Sequence, residues 1–125
     1  TILELAQVDL EHPLPIDGKS FMPALRGKVH DRGAIFWHYP HYGNQGGAPT
    51  GAVREGNWKL VEWYEDGKLE LFNLKEDISE KNDLAKKHPD KVKALASKLV
   101  GWRIDTGARM PALNKKFDPK KREGR

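Results

Sequence analysis

The stretch from residue 50 to residue 74, TGAVREGNWKLVEWYEDGKLELFNL, constrains the fold more than any other part of the chain. Its apolar and polar residues alternate with the period of two that is typical of half-buried strands. Glycine turns at 55–57 and 66–67 divide it into three strands, and the second turn predicts a two-residue hairpin. We therefore expect an antiparallel meander.

A fourth strand is predicted before the meander, at residues 33–39. The sequence GAIFWHY is continuously apolar and aromatic, which favours a strand buried on both faces. Pro40 ends it, because proline cannot donate a ladder hydrogen bond. On this pattern the strand faces carry alternate residues, with Phe36 and His38 on one side and Trp37 and Tyr39 on the other.

Helical signals follow the meander. Residues 79–85 predict one helical turn, and a longer helix is expected to begin with His88 as N-cap and Pro89 in its first position. Its apolar face has helical spacing and consists of Val92, Leu95, Ala96, Leu99 and Trp102. The predicted fold class is α+β, with a roughly four-stranded antiparallel sheet packed against one long C-terminal helix.

The first 28 residues have a different character. TILELAQVDL carries an apolar stripe with helical spacing, prolines in HPLP at 12–15 stop it, and residues 17–28 form a connector. Because the chain opens on Thr1 in the middle of a helical pattern, we expect a piece of a longer protein. The expected division is an end-of-core helix and connector at 1–28, a subdomain at 29–114 and a basic tail at 115–125.

Charge and cysteine content exclude several classes of function. The formal net charge is +4, but residues 1–114 contain 16 bases and 16 acids, so the excess lies in the tail. No nucleic-acid motif accompanies that tail, so we expect a solvated end, with a nucleic-acid arm as the alternative. No apolar run is long enough to span a membrane. The absence of cysteine excludes disulfides, thiolate metal sites and a cysteine nucleophile.

The stretch FWHYPHYGNQGGAP, residues 36–49, holds the candidate chemistry. His38 and His41 lack a third ligand at a recognisable spacing, so we expect no metal site. His38 is expected to hydrogen-bond to backbone or to a carboxylate, whereas His41 follows Pro40 in a loop and is placed to meet a ligand. Tyr42 offers a ring for sugar stacking, although core packing is the usual alternative.

Two basic residues near this loop are candidates for binding an anion. Arg54 and Lys59 lie on neighbouring predicted strands, with surface salt bridges as the alternative interpretation. Neither a G-x-S-x-G nucleophile elbow nor the lysine of a phosphate-binding P-loop is present.

Taken in order, these segments resemble the C-terminal part of the sulfatase family, the formylglycine-dependent sulfuric ester hydrolases. DGKSFMPALRGK at 17–28 is similar to the family's DG-x-S-h-x-P-x-L-x-G connector, where h is apolar. GAVREGNWKLVEW at 51–63 resembles a strand pair of the family. LELFNLKEDISEKNDLAKKHP at 69–89 matches E-L-Y-D-L followed by D-P-x-E-x-x-N-L-A, except at Ile78 and for one extra residue, Asp83, expected to affect only the turn.

The resemblance implies a subdomain that packs against an upstream α/β catalytic domain and shapes the pocket for a sulfated carbohydrate or aryl sulfate. It places no catalytic residue here, because the C/S-x-P-x-R signature is absent, so the chain alone is not expected to be active. Calcium and formylglycine are implied for the full-length enzyme only. The candidate substrate-binding residues are His41, Tyr42, His38 and Arg54.

Two further expectations concern context. A signal peptide on the full-length protein would place it in the periplasm or outside the cell. The alternative function is a stand-alone carbohydrate-binding or interaction module that uses the aromatic loop without hydrolysis.

Overall fold

The structure is a computed structural model that describes residues 1–8, 18–44, 46–112 and 114–115. The chain forms two compact units, Thr1–Gly33 and Ala34–Arg125. The predicted domain division stays a prediction, and all but the first residue of the basic tail lies outside the described residues. No described helix is both long enough and apolar enough to cross a membrane.

The first unit contains two one-turn helices, α1 (Ile2–Leu5) and α2 (Met22–Leu25). The Ser20 hydroxyl donates to the Glu4 carboxylate, and the Phe21 N–H donates to Thr1 Oγ1 at 2.6 Å. The N-terminal partial helix predicted from the apolar stripe of TILELAQVDL is confirmed, and Gln7 adopts a left-handed backbone with φ of 54° soon after α1 ends. The prolines predicted to stop it lie outside the described residues.

The second unit is built on a four-stranded antiparallel sheet in the order β1-β2-β3-β4. The strands are β1 (Ile35–Tyr39), β2 (Thr50–Glu55), β3 (Trp58–Trp63) and β4 (Leu69–Asn73). The pairing register aligns one row of apolar side chains across all four strands: Phe36, Val53, Leu60 and Leu71. The predicted meander and its additional strand are confirmed.

One long helix, α3 (Pro89–Asp105), packs on the face of the sheet that carries this row. Leu95 and Leu99 of α3 join Val53, Leu60 and Leu71 in the buried core. At the edge of the core the rings of Phe36 and Trp102 stack, with centroids 5.1 Å apart. His88 and Pro89 begin the helix as predicted, although the His88 side chain makes no capping hydrogen bond. The α+β fold class is confirmed.

The prediction that β1 is buried on both faces is wrong. Trp37 and Tyr39 point away from α3 and are each 47% exposed. The physical reason is position, because β1 lies at an edge of the sheet and α3 covers only the opposite face. Continuous apolar sequence indicated a strand correctly but did not indicate how many of its faces are covered.

The second turn of the meander is longer than the predicted two-residue hairpin. The Trp63 N–H donates to the Lys68 carbonyl at 2.9 Å, and the Gly67 N–H donates to the Trp63 carbonyl at 2.9 Å. Four residues, 64–67, therefore form the loop, and Gly67 supplies the left-handed position with φ of 70°. The longer loop carries Tyr64 and Glu65 out of the strand.

Residues 79–85 are mostly irregular, with turns only at Ser79 and Ala85, so the helical turn predicted there is wrong. Glu80 has a left-handed φ of 54°, which a helix does not allow. Asp83 does more than adjust the turn, because its carboxylate accepts hydrogen bonds from the N–H groups of Leu71 at 3.0 Å and Ala85 at 2.9 Å. The extra residue thus ties this segment to the outer strand β4.

Replacing Asp83 by alanine is expected to destabilise the subdomain by about 1–2 kcal/mol, because the N–H of buried Leu71 loses its acceptor. Burial disfavours the charged carboxylate, but the N–H donors of Leu71 and Ala85 outweigh it and lower the pKa of Asp83 below its ordinary 3.8. The charge-dependent stabilisation is therefore complete above pH 3.8 and is lost as the pH falls through the lowered pKa.

Urea denaturation of the wild type, Asp83→Ala and Asp83→Asn at a series of pH values measures both effects. The stability difference between wild type and Asp83→Asn should shrink in acid, whereas the exposed control Glu76→Gln should match the wild type throughout. A difference that stays constant down to the acid limit would contradict the assigned role of the charge.

Candidate functional site

Three of the four predicted site residues lie at one end of the sheet. His38 is near the end of β1, and His41 and Tyr42 follow in the loop 40–49 that leads to β2. Arg54 lies near the other end of β2, roughly 13 Å along the strand from Thr50. Its Nε donates to the Gly56 carbonyl at 3.2 Å. The structure therefore separates Arg54 from the other candidates within this subdomain.

The His38 ring bridges two neighbouring segments. Its Nε2 lies 2.9 Å from the Arg109 carbonyl oxygen, and its Nδ1 lies 2.7 Å from the Tyr64 hydroxyl. Because a carbonyl only accepts hydrogen bonds, Nε2 must be the donor, and Nδ1 of the neutral ring accepts from Tyr64. His38 thus makes the expected backbone hydrogen bond and joins β1 to the segment that follows α3.

Tyr64 is held in place from three sides. It hydrogen-bonds to His38, and the Arg103 guanidinium lies over its ring at 5.6 Å from the centroid. It also crosses β2 at Gly51, where any Cβ would overlap the Tyr64 hydroxyl. Burial raises the pKa of Tyr64, and the positive charge of Arg103 opposes this rise. The phenol therefore stays protonated and able to donate at neutral pH.

Arg103 is the one buried charged residue in the described part of the chain, and it has a matching anion. Its guanidinium donates to the Glu62 carboxylate at 2.5 Å. Glu62 occupies an inward-facing position of β3, and Arg103 lies one turn beyond Leu99 on the apolar face of α3. The pair joins the end of the helix to the sheet directly behind Tyr64.

The loop 40–49 places its two polar aromatic residues on the surface. The exposed His41 packs edge-to-face against Tyr39, with centroids 5.6 Å apart. The Tyr42 hydroxyl donates to Glu65 Oε1 at 2.6 Å. The loop closes on itself, because the Gly43 N–H donates to the Gly47 carbonyl at 2.8 Å. The structure thus supports a constrained loop around His41 and Tyr42.

A cavity of about 380 Å³ opens beside this loop. Its walls come from the loop 40–49, the β3–β4 turn and the segment after α3. The main lining residues are Pro40, Tyr42, Pro49, Tyr64, Glu65 and Pro111. Glu65 is the single charged residue among the described residues that line it.

Over residues 1–8, 18–44, 46–112 and 114–115, no group of three or more His, Cys, Asp or Glu residues is arranged to hold a metal ion. The described residues therefore offer no ligand cluster that fits calcium, and the chain lacks the C/S-x-P-x-R motif whose cysteine or serine becomes formylglycine.

Sequence reasoning missed four residues that build the site: Gly51, Glu62, Tyr64 and Arg103. Three of them left a readable signal. Glu62 occupies an inward position of an alternating strand, and Arg103 continues the Leu95–Leu99 stripe. Opposite charges on two apolar faces predict a buried ion pair. Glycine within a strand also indicates close approach of another group, which here is the Tyr64 ring.

Comparison with known proteins identifies the class of this subdomain. A family model described as "N-sulphoglucosamine sulphohydrolase, C-terminal" matches residues 1–104. The α+β unit is thus the C-terminal subdomain of a sulfatase, which confirms the resemblance read from the sequence motifs. The chain belongs to the N-sulphoglucosamine sulphohydrolase C-terminal family.

Individual relatives agree with this assignment. A sulfatase of Formosa agariphila is 30% identical over 123 residues, an alignment that covers 86% of this chain and 22% of the relative. The structure of BT4656 in complex with its substrate, D-glucosamine-2-N,6-O-disulfate, is 25% identical with a TM-score of 0.68. That match covers 98% of this chain and 24% of the other.

A third relative shows the fold alone. The structure of BT1596, a 2-O GAG sulfatase, is 23% identical with a TM-score of 0.72 and covers 96% of this chain and 26% of that protein. The chain thus spans about a quarter of the length of the relatives that it matches.

Substitution of Gly51 by alanine tests how Tyr64 is held. The new Cβ would overlap the Tyr64 hydroxyl, so the ring must move and its hydrogen bond to His38 must break. We expect a destabilisation of about 1–3 kcal/mol, measured by chemical denaturation. In a protein that already carries Tyr64→Ala, Gly51→Ala should lower the free energy of unfolding much less, because the ring that the new Cβ would overlap is absent.

The control is Gly101→Ala in α3, where a Cβ meets no atom within 4 Å. It should stabilise the protein by about 0.5–1 kcal/mol, because alanine is the better helix former. If Gly51→Ala proved as benign as Gly101→Ala, Tyr64 would not be confined at this position.

Proposed function

We propose that this chain closes one side of the substrate pocket in a complete sulfatase that hydrolyses sulfate esters of carbohydrates. Membership of the sulfatase C-terminal family carries the proposal. The constrained loop 40–49 adds to it, because this loop holds exposed His41 and Tyr42 at one end of a rigid sheet. Side chains on such a loop suit contact with the sugar part of a substrate.

Our choice of substrate class rests on one relative. BT4656 was solved with D-glucosamine-2-N,6-O-disulfate as its substrate, and it aligns over nearly the whole of this chain. A sulfated carbohydrate is therefore our preferred substrate class, with an aryl sulfate as the simpler alternative. The imidazole of His41 is suited to hydrogen-bond to sugar hydroxyls or to a sulfate oxygen.

In this proposal the catalytic groups belong to another domain of the complete protein. The match covers about a quarter of each relative, which leaves room for an upstream α/β catalytic domain in a complete protein. We assign calcium and formylglycine to that domain, because this chain's described residues do not fit them. A signal peptide on the complete protein would place the enzyme in the periplasm or outside the cell.

The remaining two candidates have different roles in this proposal. His38 positions the loop, because its hydrogen bonds to Tyr64 and Arg109 fix the end of β1 just before Pro40. Arg54 lies at the opposite end of β2, so its contact with substrate requires a second region of the pocket. Substrate contact by these residues stays a prediction.

Alanine substitution of His41 and Tyr42 in the complete enzyme tests the proposal. We expect kcat/KM for the sulfated carbohydrate to fall by about tenfold, which corresponds to ~1.4 kcal/mol of lost transition-state stabilisation. Turnover of a small aryl sulfate should change little, because that substrate does not reach the loop.

The matched control is Lys93→Ala, an exposed residue of α3 remote from the loop in sequence. It should leave both substrates unaffected. Equal losses on both substrates, or no loss on either, would count against a substrate-selecting loop. An upstream reading frame without C/S-x-P-x-R would instead favour a carbohydrate-binding module without hydrolase activity.

A further inference from the structure

The charge of the residues that line the cavity beside the loop does not suit a sulfate group. Glu65 is the single charged residue among its described lining residues, and its charge is negative. A sulfate group in this space would be repelled, since like charges in a partly enclosed site are unfavourable. Among the described lining residues no cation balances the charge of Glu65, which favours an uncharged ligand.

We propose that this cavity is a subsite for an uncharged sugar ring of the carbohydrate whose sulfated ring lies in the catalytic pocket. The inference rests on the proposed function, because it assumes a carbohydrate substrate. It adds a consequence that family membership does not supply: the complete enzyme should favour oligosaccharides that carry a neutral ring near the sulfated one.

The size and walls of the cavity fit such a ring. Its volume of about 380 Å³ lies in the lower part of the range typical of small-molecule sites. Tyr42, Tyr64 and the three prolines provide flat apolar surfaces, on which the C–H face of a pyranose can pack. The same rings would also exclude water from that face.

Polar groups line the cavity from two segments, Glu65 in the β3–β4 turn and Asn114 after α3. Glu65 Oε1 accepts from the Tyr42 hydroxyl, while Oε2 makes no hydrogen bond with another described residue. An ionised carboxylate accepts hydrogen bonds only, so it suits the hydroxyl donors of a neutral sugar. Charge and hydrogen bonding thus favour the same ligand.

The walls are also preorganised. Tyr64 is held by His38 and Arg103 and crosses β2 where Gly51 lacks a side chain. Because the ring is already fixed, a ligand would not lose affinity by ordering it. His38 at the same time joins β1 to Arg109, two residues before Pro111 in the facing wall.

The test measures binding of uncharged sugars to the complete enzyme by isothermal titration calorimetry. Lactose, cellobiose and N,N′-diacetylchitobiose are the neutral probes, and sucrose octasulfate is the anionic probe. Ala112→Phe places a ring into the cavity from a lining position, whereas Ala94→Phe places the same ring on an exposed position of α3. Thermal melting verifies that both variants fold.

We expect at least one neutral probe to bind, with affinity reduced tenfold or more by Ala112→Phe and unchanged by Ala94→Phe. Glu65→Gln should weaken neutral binding and reduce discrimination against the anionic probe. The proposal is overturned if no neutral probe binds, if Ala112→Phe has no effect, or if sucrose octasulfate occupies the cavity as well as the neutral probes do.

A parallel assay of sulfate release separates this inference from the proposed function. Hydrolysis of a sulfated carbohydrate without neutral-sugar binding at the cavity rejects the subsite and keeps the sulfatase role. Neutral-sugar binding that Ala112→Phe removes, in a protein that releases no sulfate, keeps the binding site and rejects the proposed enzyme.

Discussion

The packing of α3 on one row of the sheet is the interaction on which the rest of this subdomain depends. Val53, Leu60 and Leu71 occupy adjacent positions on three strands, and Leu95 and Leu99 cover them from the helix. Each such buried side chain contributes about 1.5–3 kcal/mol, so together they fix the angle and depth of α3. The end of α3 then determines where Arg103 and the following segment lie.

Polar interactions extend this apolar core to the site. The Arg103–Glu62 pair continues the same rows of side chains beyond the last leucine, and Tyr64 packs against it. Removing one member of such a buried pair leaves an uncompensated charge, which is why both positions constrain their neighbours. Through Tyr64 and His38, the core therefore sets the geometry of a surface cavity whose lining includes none of the core leucines.

Much of the fold was predictable from the sequence, and the reasons are local. Alternation in the meander and helical spacing from Val92 to Trp102 both reflect one buried face, which periodicity reports directly. The same patterns failed for β1, because exposure of Trp37 depends on the layers around the sheet. They also failed at residues 79–85, where the Asp83 carboxylate bonds to a strand twelve residues earlier.

The site was predictable only in part, because its residues come together from distant segments. The glycine-rich loop identified His38, His41 and Tyr42, but the Tyr64 hydroxyl reaches His38 across 26 residues of sequence and Arg109 reaches it across 71.

The attachment of residues 83–84 to Leu71 also affects how the outer strand β4 can interact with other molecules. Because the N–H and carbonyl of Leu71 are both engaged, β4 is less able to pair with a β-strand from another molecule, which protects this edge of the sheet from aggregation.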